Sequence, residues 1–442
     1  MKKVLIITYS WYPCGGVNVL RNLKFAKYLK KFNWEPIIFT AENPDYPSID
    51  YSNEKDVPKN IKIIKQRIFE PYAIFKFLTF QKSNANHSNP ISAYSGKRSL
   101  VYNISLWIRS NIFIPDARSM WISGSVNKLL AFCIDNKIDA IYSDGPPHTN
   151  TRIATLLKKA LHKKNINIPW LCDFQDPWTT VDYFPTLPLT KWGLNKHKKM
   201  EKEAFETCNT FTTVSQSWAN DLKTIGAPNP EVLYYGFDED DFINKEKKTD
   251  KIYTIVHAGM LSKDRIPHLL FESIAKIKNV NIGLHELFQI HLYGAVDIEA
   301  IELIQKLQID DIILLKGNIA RNEMIQKIVN AHQLLLLINN ADNSKGRIPA
   351  KLFEYLAAEN PILCVGNSQS DVANIIHECN AGEVFDYNFD MNNYLNNLIN
   401  NIKNNQLKTY NINTDKVKQF SNYNQTKKLA EILNNMQNNA TK

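Results

Sequence analysis

The chain has 442 residues, too many for one ordinary core, and that length suggests two or three domains. Hydrophobic residues make up 44% and charged residues 22%, which excludes a largely disordered chain. The formal charge of +9 is uneven: residues 1–230 hold 31 Lys/Arg against 18 Asp/Glu, a surplus of 13, and the remainder carries a deficit of 4.

A basic half asks for an anionic partner, either nucleic acid or an anionic membrane surface. No helix-turn-helix pattern, zinc-finger spacing or RNP-type aromatic motif supports nucleic acid. The six cysteines, Cys14, Cys133, Cys172, Cys208, Cys364 and Cys379, form no CxxC pair and read as reduced thiols of a cytoplasmic protein. The apolar run Val4–Thr8 is too short for a signal peptide. No window approaches the roughly 18 apolar residues that cross a bilayer.

In chain order, Lys3–Thr8 has the continuous apolar character of a buried parallel strand. Pro13, Gly15 and Gly16 make a loop, Val19–Phe32 has helical spacing, and Trp34–Thr40 is the next strand. This is a βαβ opening with a glycine turn after its first strand. The stretch 62–128 carries ten Lys/Arg against only Glu70 and Asp116, interleaved with Phe69, Tyr72, Phe75, Phe77, Phe80, Tyr102, Trp107, Phe113 and Trp121. Cations mixed with rings suit a lipid headgroup surface, with Lys76, Lys82, Lys97, Arg98 and Arg109 as contacts. Core aromatics on a basic, solvated domain would read the same way.

Alternation resumes with strands at Ile138–Ser143, Pro169–Phe174 and Thr210–Val214, and helices at Thr149–Lys164 and Lys196–Cys208. A second series follows. Its strands are Ile252–His257, Phe288–Tyr293, Ile312–Lys316, Gln333–Ile338 and Pro361–Val365. Its helices start at Pro267, run over Ile298–Leu307 and Asn322–Ala331, and end with Ile348–Ala358. The fold class is α/β, with two doubly wound units joined near 235–250. The domain boundaries are 1–240 and 241–412, and residues 413–442 form a helix returning to the first domain.

Five stretches could carry chemistry. The turn PCGGVN brings backbone N–H groups of Gly15 and Gly16 toward a helix start, where an anion could bind; a structural tight turn fits equally. In SDGPPHT, His148 falls at the carboxyl end of a strand, where an imidazole can donate to a sugar hydroxyl or serve only structure. In DFQDPW, Asp173 and Asp176 could bind hydroxyls, act as a base or cap the next segment; the proline favours a turn role for Asp176. In HAGMLSKDR, Gly259 permits close backbone approach, while Lys263 and Arg265 supply charge for a phosphate. In KGRIPAKLFEYLA, Lys351 and Glu354 share one helix face. A phosphate would explain the cation in the first turn and ribose hydroxyls the acid; an ordinary ion pair remains open.

Together, the glycine turn, GPPH, DFQDPW, AGMLSKDR and RIPAKLFEYLAAENPIL resemble the GT-B glycosyltransferases of family 4 over most of the chain. The resemblance implies two Rossmann-like domains facing each other across a cleft, and retaining, metal-independent transfer from a UDP- or GDP-sugar, with no cofactor. It implies that Arg265 and Lys351 hold the donor diphosphate, aided by Gly259, and that Glu354 binds the ribose. Gly15 and Gly16 would face the phosphates and His148 the transferred sugar, with Asp173 a further catalytic candidate. The loop Gly317, Asn318 and Ile319 would contact the base through its backbone. The implied acceptor is a saccharide, plausibly lipid-linked, in envelope or capsular polysaccharide assembly, with the protein on the inner membrane face. A non-transferring relative such as a nucleotide-sugar 2-epimerase, or a nonenzymatic binding subunit, would use the same nucleotide site. One departure stands out: the family's second glutamate, eight positions before the ribose acid, is Gly346 here. Backbone N–H groups around Ser344–Gly346 are the expected substitute. The string Asp238–Glu239–Asp240 reads as solvated linker, not a metal site.

Overall fold

The computed structural model describes residues 1–70, 100–243, 247, 250–341 and 344–440. Of the basic aromatic stretch, Tyr72, Phe75, Lys76, Phe77, Phe80, Lys82, Lys97 and Arg98 lie outside the described residues. Contacts divide the chain into one unit of Met1–Tyr234 with Asn422–Lys442, and a second of Tyr235–Ser421.

The first unit has seven strands: β1 (Lys2–Ile7), β2 (Trp34–Ala41), β3 (Lys62–Gln66), β4 (Ala140–Gly145), β5 (Trp170–Phe174), β6 (Thr210–Thr213) and β7 (Glu231–Val232). All pairings are parallel, in the order β3-β2-β1-β4-β5-β6-β7. Val4 to Ile7 are fully buried because helices cover both faces of β1, which is why that strand reads as an unbroken apolar run. The helix Asn422–Ala440 belongs to this unit: Leu429, Ala430, Ile432, Leu433 and Met436 pack with Val19, Leu23 and Leu29.

The second unit has six strands: β8 (Tyr253–Ala258), β9 (Phe288–Tyr293), β10 (Ile313–Gly317), β11 (Gln333–Leu337), β12 (Ile362–Val365) and β13 (Gly382–Phe385). Their order is β10-β9-β8-β11-β12-β13, again all parallel. Each sheet thus reverses direction beside its first strand, between β1 and β4 in one and between β8 and β11 in the other. The crevice at the carboxyl ends beside such a reversal is where doubly wound sheets bind ligands.

The strands that the sequence pattern missed, β3, β7 and β13, all lie at sheet edges. An edge strand keeps one side open, so it carries charge and loses the continuous apolar signature; β3 reads KIIKQ and is partly exposed throughout. The helix expected from Lys196 starts at Lys191, where Thr190 caps it by accepting from Gly193 N at 3.0 Å. The expected solvated linker at Asp238–Asp240 is folded instead. Asp238 is 1% exposed, and its carboxylate accepts from Asp240 N at 3.1 Å.

Candidate functional site

In the second unit the chain leaves β8 through Gly259, whose φ of 109° suits glycine alone. A Cβ there would stand 3.0 Å from Lys351 Nζ, so the lysine ammonium lies directly against the bare backbone. The loop after β9 comes as close: a Cβ on Gly294, at φ 116°, would meet Gly259 O at 2.6 Å. Gly259 N donates to Tyr293 O and Gly294 N to Gly317 O, each at 2.8 Å. Three consecutive loops are thereby laced together at the carboxyl edge of the sheet.

The helix Lys351–Ala357 is fixed to the same edge by Tyr355, whose hydroxyl accepts from Ala258 N at 2.8 Å. This bond sets the positions of Lys351 and Glu354, one turn apart. Burial pushes the Lys351 ammonium down to about 7, and the Arg265 charge adds to the shift against a smaller opposing effect of Glu354. His257, fully buried, is held well below the ordinary histidine range by burial and by the charge of Lys351. Its Nδ1 lies 2.9 Å from Leu335 O. Arg265 has Asp264 only as a long contact, Nε to Oδ1 at 3.4 Å. The Lys351 ammonium therefore lies at Gly259 beside a neutral imidazole and within the electrostatic reach of Arg265, and among the described residues the opposing effect of Glu354 on it is the smaller one. Such an arrangement suits a diphosphate.

Glu354 is engaged by a residue that the sequence reading did not single out: Arg321 Nη1 bonds its Oε1. Ile319 is half-buried, whereas Gly317 and Asn318 are exposed. Ser344–Gly346 forms a short turn in which Ser344 and Gly346 are buried, and Ser344 N donates to Ala341 O at 3.0 Å. Among the described residues no three His, Cys, Asp or Glu side chains gather as metal ligands.

In the first unit, Gly16 turns into the helix Val17–Tyr28 with φ 95° and nothing within 4 Å of a Cβ placed on it. Gly15 instead packs on Ser48, whose O accepts from Gly15 N at 2.9 Å. His148 opens the helix His148–His162 and stacks on Trp178, with ring centroids 4.5 Å apart and planes within 4°. Burial, with a smaller effect of His197, lowers it to about 3, so it is neutral at physiological pH. Trp178 is itself held by a bond from Nε1 to His197 Nδ1 at 3.0 Å.

Asp173, read from sequence as a catalytic candidate, is 0% exposed. Its Oδ1 accepts from Arg21 at 3.1 Å and Thr212 Oγ1 at 2.7 Å, and its Oδ2 accepts from Tyr142 OH at 2.7 Å. A carboxylate enclosed in this way reaches no substrate; it balances the buried Arg21. The neighbouring Asp144, which the sequence reading passed over, is fully buried and pushed up to about 7 by burial. Asn22 and Asn150 donate to it at 2.8 Å and Thr8 at 3.0 Å.

The signals that could have found the missed residues are modest. Gly294 follows a strand as Gly259 does, and Arg321 sits two positions beyond Ile319 at a helix start, where a cation opposes the helix dipole.

No family model and no curated protein sequence matches the chain. Solved structures do. HepE from Anabaena, in complex with UDP, aligns with a TM-score of 0.59 at 13% identity, covering 98% of this chain and 100% of that one. A glycosyltransferase from Rickettsia africae aligns at 0.58 and 14% identity, covering 98% of both chains. The lipopolysaccharide outer core galactosyltransferase WaaB aligns at 0.58 and 15% identity, covering 100% of this chain and 99% of that one. The two parallel-sheet units have the GT-B fold of these glycosyltransferases.

The Asp173→Asn substitution keeps shape but strips the charge that balances Arg21. We expect it to lower the stability of the first unit by about 3–5 kcal/mol. All eight tryptophans lie between Trp11 and Trp218, so fluorescence-detected denaturation reports that unit alone. A variant with wild-type stability and abolished activity would return Asp173 to the catalytic role.

Proposed function

We propose that the chain is a retaining family 4 glycosyltransferase that moves a hexosyl or N-acetylhexosaminyl group from a UDP- or GDP-sugar to a saccharide acceptor. The observation that carries this reading is Lys351 lying against the bare backbone of Gly259 under the charge of Arg265, with Glu354 one helical turn on. The UDP and UDP-glucose complexes of HepE support the same donor class.

The chemistry follows from charge. Cleavage of the sugar–phosphate bond leaves negative charge on the diphosphate oxygen. Lys351 and Arg265 stabilise it as fixed cations, a contact of a kind worth about 3–4 kcal/mol in the transition state. That role needs no metal. Glu354 accepts from the ribose hydroxyls, and the backbone at Gly317–Ile319 contacts the base. In the first unit, neutral His148 serves a sugar hydroxyl, since an uncharged imidazole donates from one nitrogen and accepts at the other. The Gly16 turn serves an anion.

A lipid-linked saccharide in envelope or capsular polysaccharide assembly is the acceptor class, met at the inner face of the membrane. The helix Leu100–Asn111 supports this. Leu100, Ile104 and Trp107 form one stripe and are 75%, 50% and 44% exposed. The two acids of the surrounding stretch are engaged within the protein: Glu70 by Tyr9 and Arg118, Asp116 by Thr149. The outward charge is therefore basic. Among the described residues no helix is long and apolar enough to cross a membrane.

Lys351→Ala and Arg265→Ala should each cut turnover of the matching nucleotide sugar by about a hundredfold or more, with excess EDTA leaving the wild type active. Turnover near normal in either variant removes that residue from the diphosphate.

Lys351 also sets a pH dependence. Free, it titrates near 7; a bound diphosphate favours the ammonium and raises that value. UDP or GDP affinity should thus be level below pH 7 and weaken above it, by up to about tenfold per pH unit. Calorimetry at pH 8 in two buffers of different ionisation enthalpy should register proton uptake on binding; zero uptake would overturn the coupling of Lys351 protonation to nucleotide binding.

For the membrane reading, sedimentation with phosphatidylserine vesicles should exceed that with neutral vesicles and collapse in high salt. Replacing Ile104 and Trp107 together by serine should weaken it by about tenfold. Equal sedimentation with both lipids, or none, refutes membrane docking and leaves a soluble acceptor.

A further inference from the structure

Arg321 opens the helix Arg321–Asn330, a position where the helix dipole disfavours a cation. Two carboxylates from distant parts of the second unit offset that cost. Nη1 bonds Glu354 Oε1, and Nη2 bonds Asp241 Oδ2 at 3.0 Å. The three side chains are 28% (Arg321), 19% (Glu354) and 6% (Asp241) exposed, so the guanidinium sits partly shielded between its partners. Asp241 is held in turn by the folded turn at Asp238, whose O accepts from Asp241 N at 3.0 Å.

The consequence for Glu354 is geometric. The terminal torsion of a free glutamate is broad, so its carboxylate samples many orientations. A bond to Oε1 from Nη1, on a guanidinium anchored through Nη2 to Asp241, restricts that freedom. It leaves Oε2 with no hydrogen bond among the described residues, and it fixes the direction in which that oxygen accepts. A vicinal diol has two hydroxyls at a set spacing, and recognising both requires an acceptor already in place. Without Arg321, a mobile carboxylate could still bind one hydroxyl but would lose the second at the cost of ordering itself.

We infer that Arg321, restrained by Asp241, is the positioning residue that orients Glu354 for the ribose 2′,3′-diol of the donor nucleotide. It thereby sets the preference for ribonucleotides over 2′-deoxyribonucleotides. The inference rests on the donor-site reading above, in which Glu354 takes the ribose. It adds a residue to that site and joins recognition of the nucleoside to the segment around Asp238–Phe242.

The test is calorimetric titration of the full-length protein with UDP, 2′-deoxy-UDP, GDP and 2′-deoxy-GDP. The wild type should prefer the ribo form of its nucleotide by about tenfold or more, the scale of one well-placed hydrogen bond to a charged acceptor. In Arg321→Gln that preference should shrink by about fivefold or more through weaker ribonucleotide binding, with deoxynucleotide affinity held within about twofold. Asp241→Asn should give an intermediate loss, and Arg321→Lys should restore part of the preference by returning the charge without the fork. A purely structural ion pair predicts something else: both nucleotides weakened together, or a lower melting temperature with an unchanged ratio.

An unchanged ribo/deoxy ratio in folded Arg321→Gln overturns the inference alone. If that variant fails to fold, an unchanged ratio in Asp241→Asn does so. A wild type that binds none of the four nucleotides overturns the donor-site reading itself, and the inference with it.

Discussion

A buried lysine ammonium set under the charge of a nearby arginine, with only a smaller opposing effect from an acid among the described residues, is the constraint around which the second unit is organised. Lys351 and Arg265 repel each other, and burial of the lysine makes its charged form costly. A protein seeking only stability would place a carboxylate there or remove a cation. The arrangement instead keeps both and sets the lysine against a glycine, which adds no side chain of its own. The same loops supply the rigidity that such a site requires. Gly259, Gly294 and Gly317 are laced by backbone bonds, and Tyr355 fastens the lysine-bearing helix to the end of β8. Under the proposed function, preorganised charge of this kind would act without rearrangement at the moment when the leaving oxygen becomes anionic.

The first unit has the same topology and opposite electrostatics at its interior. Arg21 is buried, but Asp173 answers it, and Tyr142 and Thr212 complete the carboxylate's bonds. Asp144 is likewise surrounded by donors from Asn22, Asn150 and Thr8. These networks order the carboxyl ends of β4 and β5 and leave their own acids occupied. His148 is different in kind: neutral, clamped against Trp178, and held at the edge of the network. The contrast between enclosed acids and a stacked neutral imidazole separates scaffold from candidate contact in a region where sequence alone offered both Asp173 and His148.

Gly346 is buried in the turn Ser344–Gly346 and brings no side-chain charge there. Glu354, one helical turn beyond Lys351, is bonded by Arg321, which also bonds Asp241. Under the proposed function, side chains would define the nucleotide end of the site and backbone near the buried turn Ser344–Gly346 its sugar end.

Local pattern determined the two α/β series, because a strand covered on both faces must be apolar throughout, and β1, β8 and β11 show it. It also determined the residue types at the candidate site: a glycine after β8, a basic loop and a lysine–glutamate pair at helical spacing. The edge strands β3, β7 and β13 were illegible, because half-solvated strands lose that signature. The sequence could place Asp173 at a strand end but not say that Arg21, 152 positions earlier, would consume its charge. Nor could it join Asp241, Arg321 and Glu354, which meet only once the crossovers of the second sheet have formed. Residue chemistry is written locally, but whether a charge is answered or left open is a sum over neighbours distant in the chain, and only the tertiary structure performs that sum.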